Sequence, residues 1–219
     1  MCCSDKTANY EQKLKGRFKK MKVALVNGSP HEKGSTYTVL NIVGETLEKE
    51  GISSEIFWIG AKPISGCLGC KACVKLGKCF MDDSVNVFAK KAKEFDAFIF
   101  GSPVHYAAMG GQLSSFMDRL FYSSKKSGAY YLKPAAGIAV ARRAGATVTV
   151  DQLNKYFTLA EMPVISSKYW NVVYGISPDE VLKDEEGISI VKKLAVNMAF
   201  FLKCKEAGIK SGLEFPGMI

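Results

Sequence analysis

Four cysteines, Cys67, Cys70, Cys73 and Cys79, stand in the run CLGCKACVKLGKC with two, two and five residues between them. Thiols at this density hold metal, carry electrons or pair as disulfides. No apolar leader precedes them, so the expected setting is a reducing cytoplasm, where clustered cysteines bind metal or do redox work more often than they pair. The first three repeat the C-x2-C-x2-C spacing with which one loop wraps three irons of a 4Fe–4S cluster. The five-residue spacer before Cys79 contains Gly77 and lets the chain turn back, so that all four thiolates could reach one cluster. Structural zinc usually takes two cysteine pairs separated by a longer loop, which is lacking here. Unligated thiols, including reversible redox pairs, are the third reading.

Two further stretches carry chemistry. NGSPHEKGST (27–36) supplies Gly28 and Gly34 for tight turns, and the hydroxyls of Ser29, Ser35 and Thr36 at the start of a helix, an arrangement that binds a phosphate. It is neither a Walker A loop nor G-x-G-x-x-G, because no Lys precedes Ser35 and the glycines are spaced differently. A terminal monophosphate without magnesium fits best. GSPVHYAAMGGQ offers Pro103 to stiffen a turn, and the polar aromatic faces of His105 and Tyr106 for a flat heterocycle. ARRAGAT adds Arg142 and Arg143, which could sit near an anionic ring or could be plain surface charge. Asp82 and Asp83 read as helix-cap and dipole partners, and Asp118 and Arg119 as structural or interface charges.

These stretches need a scaffold. In a chain of 219 residues, 47% hydrophobic, short apolar runs alternate with helical periods from Met21 onward. That pattern predicts a parallel sheet covered on both faces. Strands are expected at KVALVN, SSEIFWIG, DAFIFGSP, PAAGIAVARR and within PVISSKYWNVVYG. Helices are expected at 35–50, 84–95, 110–122 and 147–162, with a last one over about 186–204. Five strands in βαβ order make an α/β doubly wound, three-layer fold with sheet order 2-1-3-4-5, whose ligands sit beyond the strands' carboxyl ends. Cys204, on the last helix, is expected to be a small buried hydrophobe.

The net charge of +9 is partly concentrated in residues 1–20, where six Lys or Arg face Asp5 and Glu11. These twenty residues are read as a flexible basic extension, preceding a domain over 21–219 with a Cys-rich insertion at 61–83. Cys2 and Cys3 beside the basic segment offer a lipidation alternative. No transmembrane run, helix-turn-helix or RNA-binding signature is present, so neither a membrane span nor nucleic acid is expected.

GSPHEKGST, the cysteine run ending CFMDD, GSPVHYAAMGGQLSSFMDRLFY and VARRAGA occur in the order the fold requires. On them the chain from Met21 to about Leu202 resembles the flavodoxin-like NAD(P)H-dependent FMN reductases and iron–sulfur flavoproteins. The resemblance implies a non-covalent FMN whose phosphate meets Ser29, Lys33, Gly34, Ser35 and Thr36. Its isoalloxazine would meet Pro103, Val104, His105 and Tyr106, with Arg142, Arg143, Ala144 and Gly145 on the far side. A 4Fe–4S cluster on Cys67, Cys70, Cys73 and Cys79, NAD(P)H as co-substrate, and assembly as a homodimer or homotetramer are further implications. The expected activity passes electrons from NAD(P)H or a reduced carrier through the flavin to a quinone-like or other small acceptor. A non-enzymatic electron carrier and a thiol- or zinc-based redox sensor are the alternatives.

Overall fold

KVALVN is apolar at nearly every position because both its faces are covered. In the computed structural model, which describes residues 21–216, Val23 to Asn27 are all buried in strand β1 (Lys22–Asn27). The elements that follow are α1 (Ser35–Lys49), β2 (Ser53–Trp58), α2 (Ala72–Leu76), α3 (Ser84–Lys91), β3 (Ala97–His105), β4 (Ala108–Met109) and α4 (Gly111–Ser124). Then come β5 (Ala135–Ala141), α5 (Ala146–Leu159), β6 (Val172–Tyr174), α6 (Pro178–Val181) and α7 (Glu185–Lys210). The basic extension, with its lipidation alternative, lies outside the described residues.

The parallel sheet has the order β2-β1-β3-β5-β6, which is the expected 2-1-3-4-5 arrangement, with β4 attached antiparallel to β3. Registers run from Lys22↔Ser53 to Asn27↔Trp58 between β1 and β2, and from Phe98↔Ala135 to Pro103↔Val140 between β3 and β5. Side chains alternate across the sheet. Val23, Leu25 and Ile99 therefore join Val39, Leu40 and Val43 of α1 and Leu194, Met198 and Leu202 of α7. Ala24, Val26, Phe98 and Phe100 join Phe88 of α3, Leu113, Phe116 and Leu120 of α4, and Phe157 of α5 on the other face. The edge strand β2 carries Glu55, paired with Lys22 at 2.6 Å and with Lys91. A charged rim of this kind discourages edge-to-edge association.

Several expectations are corrected. The fifth sheet strand shrinks to three residues, because Ala135↔Val164 forms only an isolated bridge and Tyr169 and Trp170 turn out to solvent. The last helix extends to Lys210. Cys204 is exposed, because it lies two residues beyond the buried Leu202 and two residues rotate a helical side chain by about 200°. Of the two readings of Arg119, the structural one holds: it is the largest fully buried side chain described, paired with Asp83. Among the described residues no helix is long and apolar enough to cross a membrane.

Candidate functional site

β1 ends in Asn27, and this side chain shapes the loop beyond it. Fully buried, its Oδ1 accepts from Ser29 N at 3.1 Å, while Nδ2 donates to the carbonyls of Glu32 at 3.0 Å and His31 at 3.4 Å. Ser29 Oγ accepts from His31 N at 3.1 Å, and Trp58 Nε1, at the end of β2, donates to Ser29 O at 2.9 Å. Gly28 is required by close approach. Its N–H reaches Gly101 O at 2.9 Å, and a Cβ there would stand 2.5 Å from Leu113 Cδ2. The loop delivers Gly34 as the N-cap of α1, with no side-chain cap and no acidic residue in the first turn. The N–H groups of that turn and the positive end of the helix dipole are thus left to an external anion.

On the other side of the strand-order switch, β3 and β4 pair as a hairpin, Val104↔Met109 and His105↔Ala108. Its two-residue turn, Tyr106 and Ala107, has φ of 50° and 57°, the mirror-image geometry that tight hairpins favour. Buried Ser102 Oγ accepts from Gly110 N at 3.0 Å and Gln152 Oε1 accepts from Met109 N at 2.9 Å, so the hairpin is fastened at its base. Gly145, the N-cap of α5 at φ +86°, lets the turn pack on it: a Cβ would lie 2.5 Å from Ala107 Cα.

These pieces enclose an open cleft of about 700 Å³ at the carboxyl ends of the strands. Of the residues anticipated from the sequence, Ser29, Lys33, Gly34, Ser35, Thr36, Pro103, Val104, His105 and Arg142 line it. Tyr106, Arg143, Ala144 and Gly145 do not: Tyr106, Arg143 and Ala144 are exposed, and Gly145 supports the hairpin from behind. Pro30, His31 and Glu32 of the loop, Trp58, Val140 and the segment Gly175–Pro178 complete the walls. Trp58 had a signal, since a large amphipathic ring ends a strand beside the loop; Gly175–Pro178 had none beyond a turn composition. The cleft gathers the N–H groups of the α1 N-terminus, hydroxyls and Lys33, with Glu32 also on its lining, and takes its apolar lining from Trp58, Pro103, Val104 and Ile176. Its size lies within the range of small-molecule and cofactor sites.

The cysteine loop forms a second centre. Cys67, Cys70, Cys73 and Cys79 border one small cavity together with Arg119. Cys67 and Cys70 are exposed, Cys73 is half-buried and Cys79 is buried, all as free thiols. Among the described residues no three Cys, His, Asp or Glu side chains are gathered closely enough to grip one ion. The donor set, four sulfurs around one cavity with no carboxylate bordering it, is that of an iron–sulfur or zinc site rather than a hard-cation site. Asp83 caps α3 as expected, its Oδ1 accepting from Val85 N at 3.0 Å.

Residues 21–176 match the family described as NADPH-dependent FMN reductase. An iron–sulfur flavoprotein of Methanocaldococcus jannaschii is 30% identical over 192 residues, covering 84% of this chain and 98% of the relative. A WrbA-like flavodoxin structure from Agrobacterium tumefaciens superposes with a TM-score of 0.61 at 14% identity, over 85% of this chain and 99% of that one. A flavoenzyme NAD(P)H:(acceptor) oxidoreductase from Paracoccus denitrificans gives 0.61 at 14% identity, over 84% and 98%. The two structures share the fold; the archaeal relative shares the sequence along nearly its whole length.

Proposed function

Because the chain belongs to the NADPH-dependent FMN reductase family and is an oxidoreductase, we propose that its strand-end cleft holds FMN and serves electron transfer from NAD(P)H or a reduced carrier to a quinone-like or other small acceptor. The observation that carries this reading is the union, in one cleft, of an uncapped helix N-terminus and an apolar lining. FMN, when bound, supplies the hydride and single-electron chemistry. The chain's own residues bind and orient. Helix α1, with Ser29, Lys33, Ser35 and Thr36, receives the phosphate, while the 103–105 backbone and Arg142 address the ring and its negative charge. The reading extends to a 4Fe–4S cluster on Cys67, Cys70, Cys73 and Cys79 as a one-electron relay, to a cytoplasmic setting, and to a homodimer or homotetramer.

Anaerobic purification followed by a visible spectrum and counts of flavin, iron, sulfide and zinc tests the cofactor set directly. Ser35→Ala combined with Thr36→Val removes two hydroxyls and keeps the buried Thr36 methyl that packs over Gly101 of β3. FMN affinity should fall about tenfold or more, at about 1 kcal/mol per lost hydrogen bond, with no change in urea midpoint for the flavin-free protein. Unchanged flavin content would place the phosphate elsewhere. Cys70→Ser should remove the brown chromophore and its iron while leaving FMN bound; full iron retention would refute the four-cysteine site. Steady-state NAD(P)H oxidation with a quinone separates the reductase from a pure electron carrier, which would turn over no nicotinamide.

A further inference from the structure

Arg119 of α4 is 1% exposed, yet each of its three nitrogens is engaged. Nη1 donates to Asp83 Oδ2 at 2.6 Å and Nη2 to Asp83 Oδ1 at 3.0 Å, a two-pronged pair. Nη2 also donates to Met81 O at 2.9 Å and Nη1 to Ser65 O at 3.4 Å. The remaining donor, Nε, points at Cys79 Sγ, 3.3 Å away. Burial works against the charge, but Asp83 and Cys79 outweigh it and hold the guanidinium's pKa above its ordinary value. Asn86 Nδ2 adds hydrogen bonds to Cys79 O at 2.9 Å and Met81 O at 3.1 Å.

The contacts touch both ends of the cysteine loop, Ser65 before the first thiol and Met81 after the last. Of the four cysteines, Cys79 alone is buried and touched by Arg119 of α4; Cys67 and Cys70 are exposed and Cys73, on α2, is half-buried. A buried cation is expensive, and a scaffold role would need no donor aimed at sulfur. Hydrogen bonds to cluster sulfurs and nearby charge set the potential of an iron–sulfur centre.

We propose that Arg119 is the positioning and tuning residue of the four-cysteine site: it fixes Cys79 as the preformed ligand on which the loop closes, and its charge, partly offset by Asp83, raises the reduction potential of the iron–sulfur centre held there. The inference rests on the cluster reading above. Its signature is a pair of opposed shifts. Arg119→Gln removes the positive charge from beside Cys79 and should disfavour the reduced cluster tenfold, about 59 mV for a one-electron couple. Asp83→Asn removes the counter-charge and keeps a helix cap, so the potential should rise by a similar factor. Arg119→Lys keeps the charge and should stay within threefold of wild type, which preserves the test if the Gln variant folds poorly.

The experiment is a redox titration of the anaerobically purified, full-length protein, followed by electron paramagnetic resonance of the reduced cluster, with iron and sulfide counted for each variant. Opposed shifts for Arg119→Gln and Asp83→Asn, or a rise for Asp83→Asn with Arg119→Lys unmoved, support the role. Unmoved potentials, or shifts of the same sign, overturn it while leaving the cluster reading intact. Loss of iron in all three variants of a protein that is loaded as wild type reduces Arg119 to a clamp and also overturns the tuning. A wild-type protein without iron and sulfide sinks the cluster reading and the proposal with it.

Discussion

Asn27→Ala should strip the protein of its flavin. The side chain makes three hydrogen bonds to the loop that leads into α1, one to Ser29 N and two to the carbonyls of His31 and Glu32. Each is worth about 1 kcal/mol net, and a buried donor left without its acceptor costs about 1–3 kcal/mol. The loss of loop order should therefore be on the order of 2–3 kcal/mol, close to a hundredfold in FMN affinity. Asn27→Asp is the sharper variant. It keeps the acceptor for Ser29 N but cannot donate to the two carbonyls, and it places a negative charge beside the proposed phosphate site. Fluorescence titration with FMN measures both. An unchanged dissociation constant for either variant would mean that the loop does not hold the cofactor.

The second large effect is on the hairpin. Gly145→Ala places a Cβ 2.5 Å from Ala107 Cα, on a residue whose φ is +86°. An L-residue in that conformation costs about 1–2 kcal/mol, and forcing a packed neighbour away costs about 1–3 kcal/mol more. A total near 3 kcal/mol corresponds to a fall of about 1 M in the urea midpoint for a chain of this size. The hairpin carries His105 and ends the strand that bears Pro103 and Val104, so FMN affinity should fall with stability. Asn27→Ala should instead change affinity more than it changes the midpoint. A Gly145→Ala protein with wild-type midpoint and flavin content would show that the turn does not rest on this glycine. The contrast between the two variants separates a loop that binds from a hairpin that is merely supported.

The order of the sheet was legible because parallel strands covered on both faces leave unbroken apolar runs, as in KVALVN and DAFIFGSP, separated by helical periods. The loops were legible because glycines and hydroxyls at a strand-to-helix junction have few other uses. What escaped was set by tertiary contact. The hairpin turn lacks the Asn-Gly or Gly signal of its geometry and is built instead from Tyr106 and Ala107, held by Ser102, Gln152 and Gly145. Arg119 sits in an ordinary amphipathic helix, and only the packing of the cysteine loop over it makes it buried. Asn27 resembles any polar residue at a strand end until its three partners are seen. The far wall of the cleft, Gly175–Pro178, comes from a segment remote in sequence, with no pattern linking it to the phosphate loop.

The chain lays down β1 first, places β2 beside it at one edge, and then extends the sheet the other way. β1, β2 and β3 are adjacent early, and β5 and then β6 are added along one edge. A single domain folds as a unit, and α7 completes the apolar face shared by β1, β3 and α1, so the Gly28–Gly34 loop and the hairpin settle only once the carboxyl-terminal third has been made. The wall at Gly175–Pro178 and the covering helix α7 arrive last. Cofactor capture is thus a late event in the life of each nascent chain, and truncation after β5 should leave a half-walled polypeptide without retained flavin.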